Sequence, residues 1–265
     1  MAVDPAFAAL RERLERQHRD AAAAAFARGD DAVLRTGFPE LDRVLGGGFP
    51  RGTIATLEGP PSGGRSALAA RLLAQATRTG LAAAVGLDLF PPALAAAGVR
   101  LERLLIVPLR EPLGIARAAD IALRSQAFSV VALPTLPGGR GTGTTMWTRL
   151  ASLAHRANAL LVAAGDEASS ELRYFASVRL SAAIERVRWN GPSGALGELA
   201  GYDVRAIVRK HKRAAPVGGA LIRCEPFEDR PLLVDVRERE LDLDLSADAP
   251  GYARRTDRTA GVARG

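Results

Sequence analysis

Residues 59–66 read GPPSGGRS, and their setting narrows what the chain can be. A β-rich run, Thr53 to Glu58, precedes them, and an apolar-periodic segment from Ala67 to Thr79 follows, ending at Gly80. Strand, glycine-rich turn and helix start together form a phosphate-binding loop, because unpaired backbone N–H groups and the positive helix end converge on one anion-sized space. The consensus G-x-x-x-x-G-K-[ST] is met at every defined position but one. Gly59, Ser62, Gly63, Gly64, Arg65 and Ser66 are therefore the candidate nucleotide-binding residues, with Arg65 standing in the lysine position. A planar guanidinium does not simply replace a compact ammonium between phosphate oxygens. Two readings stay open: a variant ATP site, or a loop that has lost its chemistry.

With 265 residues, 48% of them hydrophobic, the chain can bury one full α/β core with some tail left over. No apolar run reaches membrane-spanning length and the first twenty residues are too charged for a secretory signal, so the expectation is a soluble cytoplasmic protein without a membrane partner. A single cysteine, Cys224, and three scattered histidines give no metal-ligand spacing. The net charge of +7 favours nucleic acid or acidic protein partners, and charge alone does not choose between them. Lys210 and Lys212 are the only lysines.

Along the chain, residues 1–30 read as an N-terminal helix and linker: Asp4 suits an N-cap, Pro5 the first helical position, and Phe7, Leu10 and Leu14 share a face that could extend to Phe26. A core is expected over 31–238. Buried strands are expected at 82–87, 129–133 and 160–164, and helices at 115–126 and 145–158, an alternation that predicts a mostly parallel sheet covered on both faces. Further strand patterns lie at 184–189, 204–208 and 221–224. Residues 239–265 form a tail, with leucine and aspartate alternating over 241–245 and then an arginine-rich end that includes Arg254 and Arg255; disorder until a partner is met is expected there.

The order Thr36-Gly37, Leu41-Asp42, Leu45-Gly46-Gly47-Gly48, Pro50-Arg51-Gly52 and then the loop resembles the start of the RecA recombinase core. LRYFASVRL at 172–180 and VRAIVRKHKRAAP at 204–216 resemble its second half, so that the likeness covers roughly residues 22–225. Within that superfamily the degenerate loop, AAAGVRLERLLIV, LRSQAFSVVALP and an expected short C-terminus are most similar to the inducible-mutagenesis accessory branch called ImuA, grouped with the cell-division inhibitor SulA. The fold this implies is a RecA-like α/β core with an antiparallel extension.

The resemblance also implies roles for residues. The strand 129–133 should end in a Mg²⁺ carboxylate, but Pro134 and Thr135 follow; the γ-phosphate sensor after Ala164 is replaced by Gly165-Asp166; and Asp88 is the nearest candidate for the water-activating acid. Strand caps and turns explain Asp88 equally well. The first DNA loop is reduced to residues 136–143 with Arg140 as its one charge, and the second to seven residues, 165–171. DNA contact through Arg140, Arg254 or Arg255 is expected to be weak and salt-dependent. Lys210 and Lys212 match a pair that reaches a neighbouring subunit's ATP in RecA filaments, and with Phe26 they are the candidate contact to RecA. The expectation is no required cofactor, ATP and Mg²⁺ bound weakly or not at all, no useful hydrolysis, and an accessory role in damage-induced mutagenesis beside RecA and a Y-family polymerase-like protein. A RecA paralogue with weak ATPase activity and a SulA-like division inhibitor are the alternatives.

Overall fold

The computed structural model describes residues 33–139, 141–190, 198–213 and 218–224. The expected N-terminal helix with Phe26, the tail with Arg254 and Arg255, and Arg140 lie outside the described residues.

A small antiparallel pair opens the fold, β1 (Val33–Leu34) against β2 (Phe49–Pro50), with the short helix α1 (Pro39–Val44) between them. The Thr36-Gly37 and Leu41-Asp42 signatures are joined here: Asp42 Oδ1 accepts from the Thr36 backbone N–H at 2.7 Å, while Leu41 is fully buried. Gly48 lies so close to the Leu34 carbonyl that a Cβ would stand 2.3 Å from its oxygen, so the glycine run seats the turn on the first strand.

The main sheet has eight strands in the order β10-β9-β8-β3-β7-β6-β4-β5. Their ranges are β3 Ile54–Glu58, β4 Leu81–Val85, β5 Leu104–Val107, β6 Phe128–Pro134, β7 Leu160–Gly165, β8 Val178–Asn190, β9 Glu198–His211 and β10 Gly219–Cys224. From β8 to β5 all neighbours are parallel; β9 and β10 add an antiparallel extension. The helices are α2 (Arg65–Thr79), α3 (Pro91–Ala96), α4 (Pro112–Ser125), α5 (Thr144–Ala157) and α6 (Ser170–Phe175).

The continuous apolar runs become parallel strands because both of their faces are covered. Alternate residues divide between two cores. Ala55, Leu57, Val130 and Val162 face α2 through Leu68, Leu72 and Leu73. Ile54, Val131, Leu133 and Leu161 face the opposite layer, where Ile115, Leu123, Trp147, Leu150 and Leu172 of α4, α5 and α6 pack. The alanines of β4 leave room for helices on both sides.

Two expectations are corrected. The strand expected at 82–87 ends at Val85, since Gly86 turns the chain with φ +68°. The runs expected at 184–189 and 204–208 belong to strands of 13 and 14 residues, whose pairing outlasts their apolar alternation because β8 is solvent-exposed from Ala183 to Val187. LRYF closes α6, started by Ser169, whose hydroxyl accepts from Leu172 N–H at 3.2 Å.

Candidate nucleotide site

The glycine-rich loop joins the carboxyl end of β3 to α2, in the middle of the sheet. Chain direction puts the ends of β4, β6 and β7 on the same edge, and α2 and α6 leave β3 and β7 toward opposite faces. Such an edge is where open α/β sheets take ligands.

Each glycine of the loop answers a close approach within the protein. A Cβ on Gly59 would stand 2.1 Å from the Ala182 carbonyl oxygen of β8, and one on Gly63 would meet the Pro60 and Ala182 oxygens at 2.9 and 3.1 Å. Gly64 has φ +92°, and its Cβ would meet a Val204 methyl of β9 at 2.6 Å. Ser62 also takes the left-handed conformation, φ +60°. The Gly63 N–H closes the turn onto Pro60 at 3.0 Å. Helix α2 then starts with no side-chain cap and no acid in its first turn, and Ser66 is exposed at that start. An anion brought to this end would meet first-turn N–H groups and a hydroxyl.

Arg65 does not point freely into that space. Its Nη1 donates to the Gly59 carbonyl and to Asp166 Oδ1, the first residue after β7. The Gly59 N–H in turn donates to the Gly165 and Asp166 carbonyls, both at 3.2 Å. The position expected to have lost a phosphate sensor therefore carries a carboxylate bound to the loop's own cation. The sequence reading missed this pair, which spans 101 positions; the adjacency of β3 and β7 was the signal that could have found it.

A second group missed from sequence lies directly beneath. Glu58 ends β3 and is 8% exposed. Arg179 of β8 donates to both of its oxygens at 2.9 Å, the Thr56 hydroxyl at 2.6 Å and the Ala168 N–H at 3.4 Å. Burial opposes its charge, but these donors outweigh burial and hold Glu58 below the usual carboxylate range, while Arg179 is pushed up by the hydrogen bonds from Glu58. The signal available was a lone acid at the end of an apolar strand, which requires a partner. The pair ties the base of the loop to β8.

Asp88 lies three residues beyond β4, exposed, on the same edge of the sheet. Beyond β6, Thr135 packs against Gly165, where a Cβ would come within 1.9 Å of its hydroxyl oxygen, and Thr135 N–H donates to Ala164 O at 3.0 Å. Among the described residues, no cluster of three or more His, Cys, Asp or Glu could hold a metal ion.

Lys210 and Lys212 stand elsewhere. Lys210 pairs with Arg179, which pairs with Thr56, and the Lys212 N–H donates to Ser177 O, next to Ile54. Lys212 thus stands at the start of β3, about 16 Å of strand from Gly59, and Lys210 is level with its middle, about 10 Å of strand from Gly59. Both ammonium groups donate to the last turn of α6: Lys210 to the Arg173 and Tyr174 carbonyls at 2.6 and 3.1 Å, Lys212 to the Phe175 carbonyl at 3.2 Å. Lys212 also lies 5.9 Å from the centre of the Tyr174 ring. Cations suit the carbonyl end of a helix. Burial, with Lys212 and Arg179 nearby, lowers the Lys210 pKa.

Comparison with known proteins bears on this geometry. A family model described as the MT3502 N-terminal domain matches residues 43–169. The chain is 31% identical to Protein RecA of Thermus thermophilus over 222 residues, covering 69% of this chain and 64% of that protein. It is 32% identical to Protein RecA of a Picosynechococcus species over 108 residues, 40% of this chain and 31% of that one. It thus spans from about a third to just under two thirds of these relatives. The crystal structure of the RadB recombinase superposes with a TM-score of 0.54 at 18% identity, covering 73% of this chain and 96% of that one, which shows a shared fold. By sequence the chain is similar to RecA proteins of the recombinase superfamily, and its fold is RecA-like.

Proposed function

We propose that this is a RecA-like protein without useful ATP hydrolysis, acting by protein contact as an accessory factor of the ImuA kind in damage-induced mutagenesis in the cytoplasm. The observation that carries the reading is the Arg65–Asp166 pair at the phosphate loop. Hydrolysis of ATP uses a cation on the β- and γ-phosphates, a carboxylate on Mg²⁺ and a group that orients water. Here the loop's cation is already paired with the Asp166 carboxylate, and Leu133-Pro134-Thr135 offers no acid for the metal. A Mg²⁺–nucleotide complex does not fit this donor set well, although a simple anion fits the open start of α2. Losing one charge-stabilising group costs about 10² to 10³ in rate, and losing several members of one unit leaves little beyond binding.

The partners in this reading are RecA and a Y-family polymerase-like protein, with any DNA contact weak and salt-dependent. RecA kinship supports the first, because a chain with the same core can meet a recombinase subunit as another subunit does. Both lysine ammonium groups are held on the last turn of α6 and not on the chain's own loop, so a nucleotide they meet belongs to a neighbour. Immobilised RecA filament should capture the purified protein, and changing Lys210 and Lys212 together to alanine should weaken capture at least tenfold. Undiminished capture by that double variant would remove the lysine pair from the reading, and failure to bind either RecA or the polymerase-like protein would remove the accessory role.

One feature favours a second reading, a paralogue that binds ATP: Ser66 is exposed beside the uncapped start of α2. Tight ATP binding by calorimetry, abolished by Arg65→Ala, would support it.

A further inference from the structure

On the face of the sheet away from α2, helices α4 and α5 enclose a groove of about 750 Å³. Leu113, Ala116, Ile121, Met146 and Leu150 supply its apolar lining. Ile121 stands 62% exposed in mid-helix, an apolar side chain left largely to solvent. Arg117, Ile121 and Arg124 fall at i, i+4 and i+7 on α4, one stripe along the groove.

The charge here is organised. Asp120, 9% exposed, binds two guanidiniums: Arg124 at 2.8 Å, and Arg149 of α5 through both Nε and Nη2, the latter at 3.3 Å. The hydrogen bond from Arg149 is the main cause holding Asp120 below the usual carboxylate range. Both arginine side chains remain more than half exposed, 57% and 60%, so one buried carboxylate fixes two cations that still face outward. Arg117 joins them and takes part in no ion pair among the described residues. Three guanidiniums thus stand against one carboxylate, and the uncapped start of α5, with Thr144 and Thr145, adds its positive end to the same groove.

From this we infer that the α4–α5 groove docks an acidic amphipathic segment of a partner protein, its apolar face on Ile121, Met146 and Leu113 and its carboxylates on Arg117, Arg124 and Arg149. Helix-in-groove recognition uses this combination of an apolar floor and flanking charge. Single-stranded nucleic acid fits less well, since no aromatic ring lines the groove for bases to stack on. A second copy of the same groove would bring like charges together. The inference does not depend on the state of the nucleotide loop.

The test is fluorescence anisotropy of a labelled 14-residue peptide with leucine and glutamate at helical spacing, titrated with the full chain. Saturable binding is expected, at least tenfold weaker for Arg117→Glu, for Ile121→Ser and for a peptide with glutamine in place of glutamate. Both variants change exposed side chains, and unchanged circular dichroism and melting confirm that they fold. No saturable binding, equal binding by both variants, equal binding of the glutamine peptide, or displacement of the peptide by oligo-dT at equal concentration would each overturn the proposal.

Discussion

Two arginine–carboxylate pairs set the character of the loop, and they behave differently. Glu58 is buried, so its pair with Arg179 is one whose breaking leaves an uncompensated charge; Arg179→Ala should destabilise the protein by about 3 kcal/mol. Acid should act on the same pair. The folded-state pKa of Glu58 lies below its unfolded value, so its contribution is complete above about pH 4.3 and is lost as pH falls from there through the folded value. In Arg179→Ala only the Thr56 and Ala168 hydrogen bonds oppose burial, so the Glu58 pKa rises and acidification costs the variant less stability than it costs the parent. Denaturant titrations at pH 7 and pH 4 on both proteins check the two slopes. The Arg65–Asp166 pair is more open, Asp166 being 68% exposed, and it acts on ligands more than on stability. Asp166→Asn should free the guanidinium and raise the affinity for a non-hydrolysable ATP analogue about tenfold by calorimetry, with melting nearly unchanged. An unchanged affinity would mean that the pair does not guard the loop.

At the scale of elements, the glycine-rich loop is held by its neighbours. Ala182 of β8 and Val204 of β9 occupy the space that Cβ atoms on Gly59, Gly63 and Gly64 would need, so the glycines are required with or without a phosphate. Gly64→Ala combines a positive φ with that clash and should cost about 2 kcal/mol, a fall in Tm of about 6 °C. A melt unchanged within a degree would show that β9 yields and the packing argument is wrong. The sequence was most legible where both faces are buried: β6 and β7 and the helices α4 and α5 lie within a few residues of their expected positions, because apolar periodicity reports burial directly. It was least legible where pairing, not burial, makes the element. β8 and β9 extend well past their apolar stretches on hydrogen bonds to each other, and α6 is a six-residue helix whose signal is one serine cap. Asp120 followed the same logic as Glu58: an acid on the buried stripe of α4 signals a paired cation, but only the fold identifies Arg149 as its partner.

Over the described residues, one sheet edge holds the phosphate loop, Asp166 and Asp88, the last turn of α6 holds the lysine pair, and the α4–α5 face holds an arginine-rimmed groove. The net charge of +7 is spread over surfaces with different tasks in this account. No helix among the described residues is long and apolar enough to cross a membrane. RecA kinship was readable from ordered motifs, whereas the pairing of Arg65 with Asp166 needed the strand order. With its loop cation paired to Asp166, this RecA-like core should not turn over ATP. Release of radiolabelled phosphate from ATP with Mg²⁺, measured with and without single-stranded DNA beside a RecA control, is the direct test. No turnover above background is expected in either condition, and turnover comparable to that of RecA would contradict the proposed loss of hydrolysis.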